Sequence, residues 1–345
     1  MSDIIRANGA LAQIERPGLA DRIVARLPGI GRYTAGPTVA HGLRKMRELS
    51  GRGIGSIVNV LGEHDTAPKA IGKTFLQYGM LIDGIAGEAL LRPSISLKPT
   101  QFGLHENGGR ETAAQLMREL ARSAHERGIF VWLDMEGSHA TDFTLNMYRD
   151  FTRRGIRAGV ALQANLKRTG ADLSRLASFC RSEDAAVSVR LVRGIYREDE
   201  SVAFASRREM HDSFANLMRA AFFEGGEKFM VSVGTHHPDQ VVRALALSAE
   251  FPGRLNDLQF LLGAAEVIPR ALSERGVDCT YYVPCGQRFL DYGIRRLKEN
   301  PGGFWGLISA RFRERRNMRK VESFLAGSLQ VDLSDPALGI TGPGY

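Results

Sequence analysis

Eight short runs along the chain are mostly apolar and lack the clean alternation of a half-buried strand. They are Gly53–Leu61, Ser94–Thr100, Ile129–Met135, Gly159–Ala164, Ala186–Arg193, Phe229–Thr235, Asp257–Leu262 and Thr280–Pro284. Such runs suit strands buried on both faces, as in parallel sheets. The segments between them carry helical spacing. In the clearest, Ala113, Leu116, Met117, Leu120, Ala121 and Ala124 recur at three and four residues and form one apolar face. Gly128 follows, where a left-handed stop is expected, and the next strand begins at once. Gly155 before Ile156 and Gly276 before Val277 repeat that punctuation.

Strand and helix alternating through one chain predict an α/β protein, a (β/α)8 barrel of the TIM type. A doubly wound open sheet is the alternative. The glycines Gly51, Gly53 and Gly55 precede their strand, whereas a dinucleotide-binding loop follows its strand and opens a helix, so they are not read as one. Residues 1–50 read as a helical segment ahead of the barrel, 51–312 as the barrel, and 313–345 as a basic helix with a loose tail.

The composition, 43% hydrophobic and 24% charged, excludes disorder, collagen and a disulfide scaffold. The three cysteines form no C-x-x-C pair, which argues for a reducing compartment and against a structural zinc site. The histidines show no H-E-x-x-H spacing, so no metal is expected. The first residues lack the apolar run of a signal peptide, and no long uncharged apolar stretch follows, so a cytoplasmic protein is expected.

The net charge of +8 is concentrated. Arg311, Arg313, Arg315, Arg316, Arg319 and Lys320 are opposed only by Glu314. One reading is a solvated helix face. The other is peripheral contact with a membrane surface or an acidic partner, since Trp305, Ile308 and Phe312 form a short apolar stripe just before the run. No helix-turn-helix, zinc-finger or RNP-like signature accompanies it, so no nucleic-acid partner is expected.

In a TIM-type barrel the chemistry sits at the C-terminal ends of the strands. Reading those ends in turn gives Glu63, Lys98, Asp134 to Glu136, Gln163, Arg190 and Arg193 to Tyr196, then Thr235 to His237 and Tyr282. Tyr292, Arg295 and Arg296 follow on the next helix. This ring holds several cations and no nucleophile pair. Lys98, Asp134 and Arg190 allow a bland reading as an ion-pair belt closing the barrel top. Arg295 and Arg296 allow another, as partners of Glu299. The sharper reading is that two guanidinium groups and the Tyr292 phenol frame a carboxylate-bearing ligand.

At these residues the chain resembles the proline dehydrogenase family in its short, single-domain bacterial form. The resemblance rests on Leu133-Asp134-Met135-Glu136, Leu162-Gln163-Ala164, Arg190 through Tyr196, Thr235-His236, and Tyr282-Val283-Pro284 through Arg296. Lys98 lies in a matching Ser-Leu-Lys-Pro-Thr-Gln segment. The resemblance implies a distorted (β/α)8 barrel that oxidises L-proline to 1-pyrroline-5-carboxylate with FAD and passes electrons to a quinone. It implies that Arg190 and Gln163 hydrogen-bond the flavin ring with Met135 nearby. Arg193, Gly194 and Ile195 would line the cofactor, and Thr235 and His236 would meet its adenosine-diphosphate end. Lys98, Asp134, Tyr282, Tyr292, Arg295 and Arg296 would surround the substrate, with Asp134 and Arg190 in the catalytic role. This agrees with a ring short of nucleophiles, because a flavin carries hydride chemistry itself.

Three positions depart from the family. The chain has Arg193 where Lys is usual, Ile195 where Ala is usual, and His237 where Asn or Asp is common. Ile195 adds bulk beside the expected reaction centre, where overpacking typically costs ~1–3 kcal/mol. It therefore keeps a second substrate open, another small amine or imino acid. A barrel that binds FAD or an anion without turnover is the reading from a different class.

Overall fold

The computed structural model of the protein describes residues 32–105, 107–288, 303–327, 330–331 and 340–341. A helix, α1 (Val39–Ser50), precedes eight parallel strands: β1 (Gly55–Val60), β2 (Pro93–Leu97), β3 (Phe130–Leu133), β4 (Ala158–Gln163), β5 (Val187–Val192), β6 (Phe229–Gly234), β7 (Leu255–Leu261) and β8 (Cys279–Cys285). They close in sequence order, with β8 pairing back onto β1 from Gly55–Thr280 to Val60–Cys285. The (β/α)8 architecture read from the sequence is the one observed, and the open-sheet alternative is not. The register slips at Val231/Ser232 between β6 and β7.

The connecting helices are α2 (Pro68–Ala86), α3 (Arg110–Glu126), α4 (Thr141–Arg153), α5 (Thr169–Ser182), α6 (Arg207–Glu224), α7 (Pro238–Glu250) and α8 (Val267–Ser273). Helix α3 buries Ala113, Met117, Leu120, Ala121 and Ala124, the face its spacing predicts. Gly128, Gly155 and Gly276 all adopt positive φ (74°, 71° and 78°), the left-handed stop that glycine takes at no steric cost.

The outer layer between strands and helices is apolar, but much of the barrel interior is polar. Ser96, Arg190, Ser232, Asp257 and Gln259 are buried on the strands. Gly159 on β4 makes one part of this interior possible. A Cβ there would lie 2.5 Å from the Trp132 ring, so only glycine lets that indole lie flat across β4. The Arg190 guanidinium in turn sits over the Trp132 ring at 5.1 Å.

Past the barrel, α9 (Gly303–Leu325) runs as one helix through the 312/313 division read from the sequence. One of its two acids, Glu314, accepts hydrogen bonds from the backbone N–H groups of Glu266 (2.5 Å), Val267 (2.5 Å) and Ile268 (3.3 Å). It thus caps the short helix α8, whose first N–H groups would otherwise lack acceptors. In the tail, Gln330–Val331 pairs antiparallel with Ile340–Thr341. Among the described residues no helix is long and apolar enough to cross a membrane.

Candidate active site

Asp134 follows β3 directly, and its backbone N–H donates to Leu97 O on β2 (3.0 Å), which fixes the turn at the C-terminal mouth of the barrel. Its carboxylate takes three donors from three other strands. Arg190 of β5 forms an ion pair with Oδ1. Tyr282 of β8 donates its hydroxyl to Oδ2 at 2.6 Å, and Ser96 of β2 donates to the same oxygen at 3.2 Å. Both members of the ion pair are buried, so each charge depends on the other. Burial, reinforced by the Asp134 carboxylate, pushes the Tyr282 phenol well above its usual pKa, which keeps it a proton donor.

Behind this pair runs a hydrogen-bonded chain through one amide to a second carboxylate. Arg190 donates from Nη1 to Gln259 Oε1 (3.4 Å), and Gln259 Nε2 donates to Asp257 (3.0 Å). The Tyr282 ring also lies against the guanidinium, 5.8 Å away. Arg190 is therefore held by two aromatic rings and two acceptors. Its Nε is buried with no hydrogen-bond partner among the described residues, a donor that a flavin ring heteroatom would satisfy. The residues at the mouth fit a flavin on this ground.

Lys98, one residue beyond β2, pairs with Glu63. Burial works against its ammonium, but the acidic groups of Tyr196, Glu63, Asp134 and Glu136 outweigh that and hold its pKa above the usual value. Glu136 is also buried, and accepts from the Thr100 hydroxyl (2.6 Å) and backbone N–H (2.9 Å). The belt read from the sequence thus has two parts, because Lys98 takes Glu63 as its ion-pair partner while Arg190 takes Asp134. The half-buried Tyr196 phenol is pushed up by burial and drawn back by Lys98.

Gln163 ends β4 and donates to the Glu136 carbonyl at 2.8 Å, while Met135 is buried beside it in the β3 turn. Arg193 is exposed, and its carbonyl accepts from Asn165 N–H (2.9 Å). Gly194 has φ +95°, and a Cβ there would fall 1.9 Å from Asn165 Oδ1. Ile195 is 54% exposed, so its extra bulk does not overfill the packing of the described residues. Thr235 and His236 lie half-buried after β6. His236 Nε2 accepts from Leu261 N–H (3.3 Å), which leaves the proton on Nδ1. Tyr292, Arg295 and Arg296 lie outside the described residues.

Sequence reasoning did not find Asp257, Gln259 and Ser96. Each reads as an ordinary strand position until the barrel closes. Nor did it find a cluster of His211, His237 and Asp239, whose potential ligand atoms lie within 4.8 Å of one another. Its members come from two helices, so no short spacing announces them.

Comparison with known proteins gives a consistent result. A family model described as proline dehydrogenase matches residues 42–303. Proline dehydrogenase 1 of Bacillus subtilis is 28% identical over 275 residues, covering 79% of this chain and 87% of that protein. The proline dehydrogenase of Deinococcus radiodurans is 24% identical over 307 residues, covering 87% and 96%. Among solved structures, proline utilization A from Bdellovibrio bacteriovorus inactivated by N-propargylglycine superposes with a TM-score of 0.72 at 19% identity. That match covers 81% of this chain but 33% of the other, so this chain spans about a third of that larger protein and the likeness is one of fold.

Proposed function

Because the chain belongs to the proline dehydrogenase family, we propose that it oxidises L-proline to 1-pyrroline-5-carboxylate using FAD and passes the electrons to a quinone. The observation that carries this reading is the buried Asp134 carboxylate, gripped by Arg190, Tyr282 and Ser96 at the mouth of the barrel. FAD, when bound, supplies the hydride acceptor. Arg190, Gln163 and Met135 would hold its ring. Arg193, Gly194 and Ile195 would line it, and Thr235 and His236 would meet its adenosine-diphosphate end.

The chain's own residues supply charge and orientation. The buried Arg190 and the half-buried Lys98 keep two positive charges at the mouth, which favours negative charge developing nearby. Asp134 fixes the plane of the Arg190 guanidinium and the direction of the Tyr282 hydroxyl. Lys98, Asp134 and Tyr282 would meet the substrate, and Tyr292, Arg295 and Arg296 would bind it with them, the two arginines pairing with its carboxylate. A buried carboxylate needs paired donors, and adjacent arginines supply them.

The Ile195 side chain, larger than the alanine usual in the family, carries a second reading, another small amine or imino acid as substrate. Steady-state kinetics with a dye acceptor decide between the two. Turnover of L-proline by the wild type supports the first. An enzyme inactive on proline that gains activity as Ile195→Ala supports the second.

A further inference from the structure

His211 sits in the first turns of α6, while His237 caps α7 and Asp239 lies in its first turn. The two imidazole rings meet edge-on, centroids 4.8 Å apart and planes at 63°. His237 Nδ1 lies 3.8 Å from Asp239 Oδ2. One ligand atom from each of the three residues falls within 4.8 Å of the others. His211 Nδ1 faces the Asp212 carboxylate at 3.9 Å, while its Nε2 is buried without a hydrogen-bond partner. A carboxylate behind one ring nitrogen is the usual support of a metal-ligating histidine. Lys320 of α9 places its ammonium against Asp239, so a positive charge already occupies the edge of the cluster. The N-terminal dipole of α7 opposes a cation there, and the Asp239 carboxylate offsets it.

We propose that His211, His237 and Asp239 form a binding site for a zinc-type divalent ion, for which the Lys320 ammonium stands in when the metal is absent. Two imidazoles and one carboxylate are a donor set suited to such an ion, with a fourth position left for water. Tetrahedral bonds of about 2.0–2.1 Å bring donors to about 3.3 Å apart, so the cluster must contract. His237 is exposed and free to turn inward. Metal binding would tie α6 to the start of α7 and release Lys320, loosening one tie between α9 and the barrel. The cluster adjoins the segment Thr235–His236, because His237 is the next residue along the chain.

The test is zinc binding to the full-length chain, stripped with a chelator and titrated with zinc chloride against a chromophoric competitor. Wild type should take up one zinc per chain. Both His211→Ala and His237→Ala should weaken that uptake roughly tenfold or more. Lys320→Ala should bind zinc more tightly than wild type, because a competing cation has gone. Folding of each variant is checked by circular dichroism, and the exposed His237 gives a readout if His211→Ala fails to fold. A wild type that binds no zinc at micromolar concentration, histidine variants that bind as wild type does, or weaker binding by Lys320→Ala would each overturn the proposal.

Discussion

The guanidinium of Arg190 on β5 reaches the carboxylate of Asp134 at the end of β3, both side chains buried. Removing one partner of such a pair strands the other charge in a poorly solvated place, at a typical cost of ~3–5 kcal/mol. Arg190→Ala should therefore lower the thermal midpoint markedly. Adding Asp134→Asn should return part of the loss, because the stranded charge has then gone. Thermal denaturation of wild type and the two variants checks this, and an Arg190→Ala midpoint equal to wild type would show the pair to be inert.

Glu136 makes stability depend on pH. Burial pushes its carboxyl above the usual 4.5, while the Lys98 ammonium and the Thr100 hydrogen bonds pull it back. The folded protein thus holds this proton more tightly than the unfolded chain. Its contribution to stability is fully present below the unfolded pKa and is lost as pH rises through the folded value. Glu136→Gln removes that titration and can still accept from Thr100. Its thermal midpoint should fall less than wild type's as pH is raised from about 4 to about 8. Parallel curves would mean that Glu136 is not the group responsible.

Gly159→Ala tests the barrel interior. The added methyl meets the Trp132 ring at 2.5 Å, and Trp132 cannot yield without pressing on Arg190. Overpacking of this kind typically costs ~1–3 kcal/mol. Urea denaturation should show that loss of stability, with Trp132 fluorescence altered in the folded state. An unchanged midpoint would mean that the indole moves freely.

Helix α9 exposes Arg315, Arg316 and Arg319, while Lys320 is engaged with Asp239. If this face meets anionic lipid on the way to a quinone, each basic residue near the surface contributes ~1 kcal/mol. Co-sedimentation with phosphatidylserine vesicles should then be seen at low salt and fade as salt rises. A triple Ala variant at these positions should stay in the supernatant. Wild type staying there too would return the helix to its plain reading as a solvated face.

The barrel was legible because its strands are buried on both faces and its helices end in glycines such as Gly128, features that local sequence records. Part of the ring was legible, because strand ends are where a barrel gathers chemistry: Lys98, Asp134 and Gln163 lie there, while Arg190 and Tyr282 sit inside β5 and β8 and meet Asp134 through their side chains. The partners were not legible. Nothing in the order of residues says that Lys98 takes Glu63 while Arg190 takes Asp134, since that choice depends on side-chain reach across a closed barrel. Glu314 shows the same limit. Along the sequence it is the acid of a basic run, and only the packing of α9 on α8 makes it a helix cap.

The central claim is that this mouth holds a flavin which L-proline reduces. Anaerobic spectroscopy of the FAD-reconstituted protein tests it most directly. Flavin absorbance should appear and bleach on adding L-proline, with Arg190→Ala impaired in both flavin retention and bleaching. A chain that takes up no FAD, or whose bound FAD keeps its colour with proline, would contradict it.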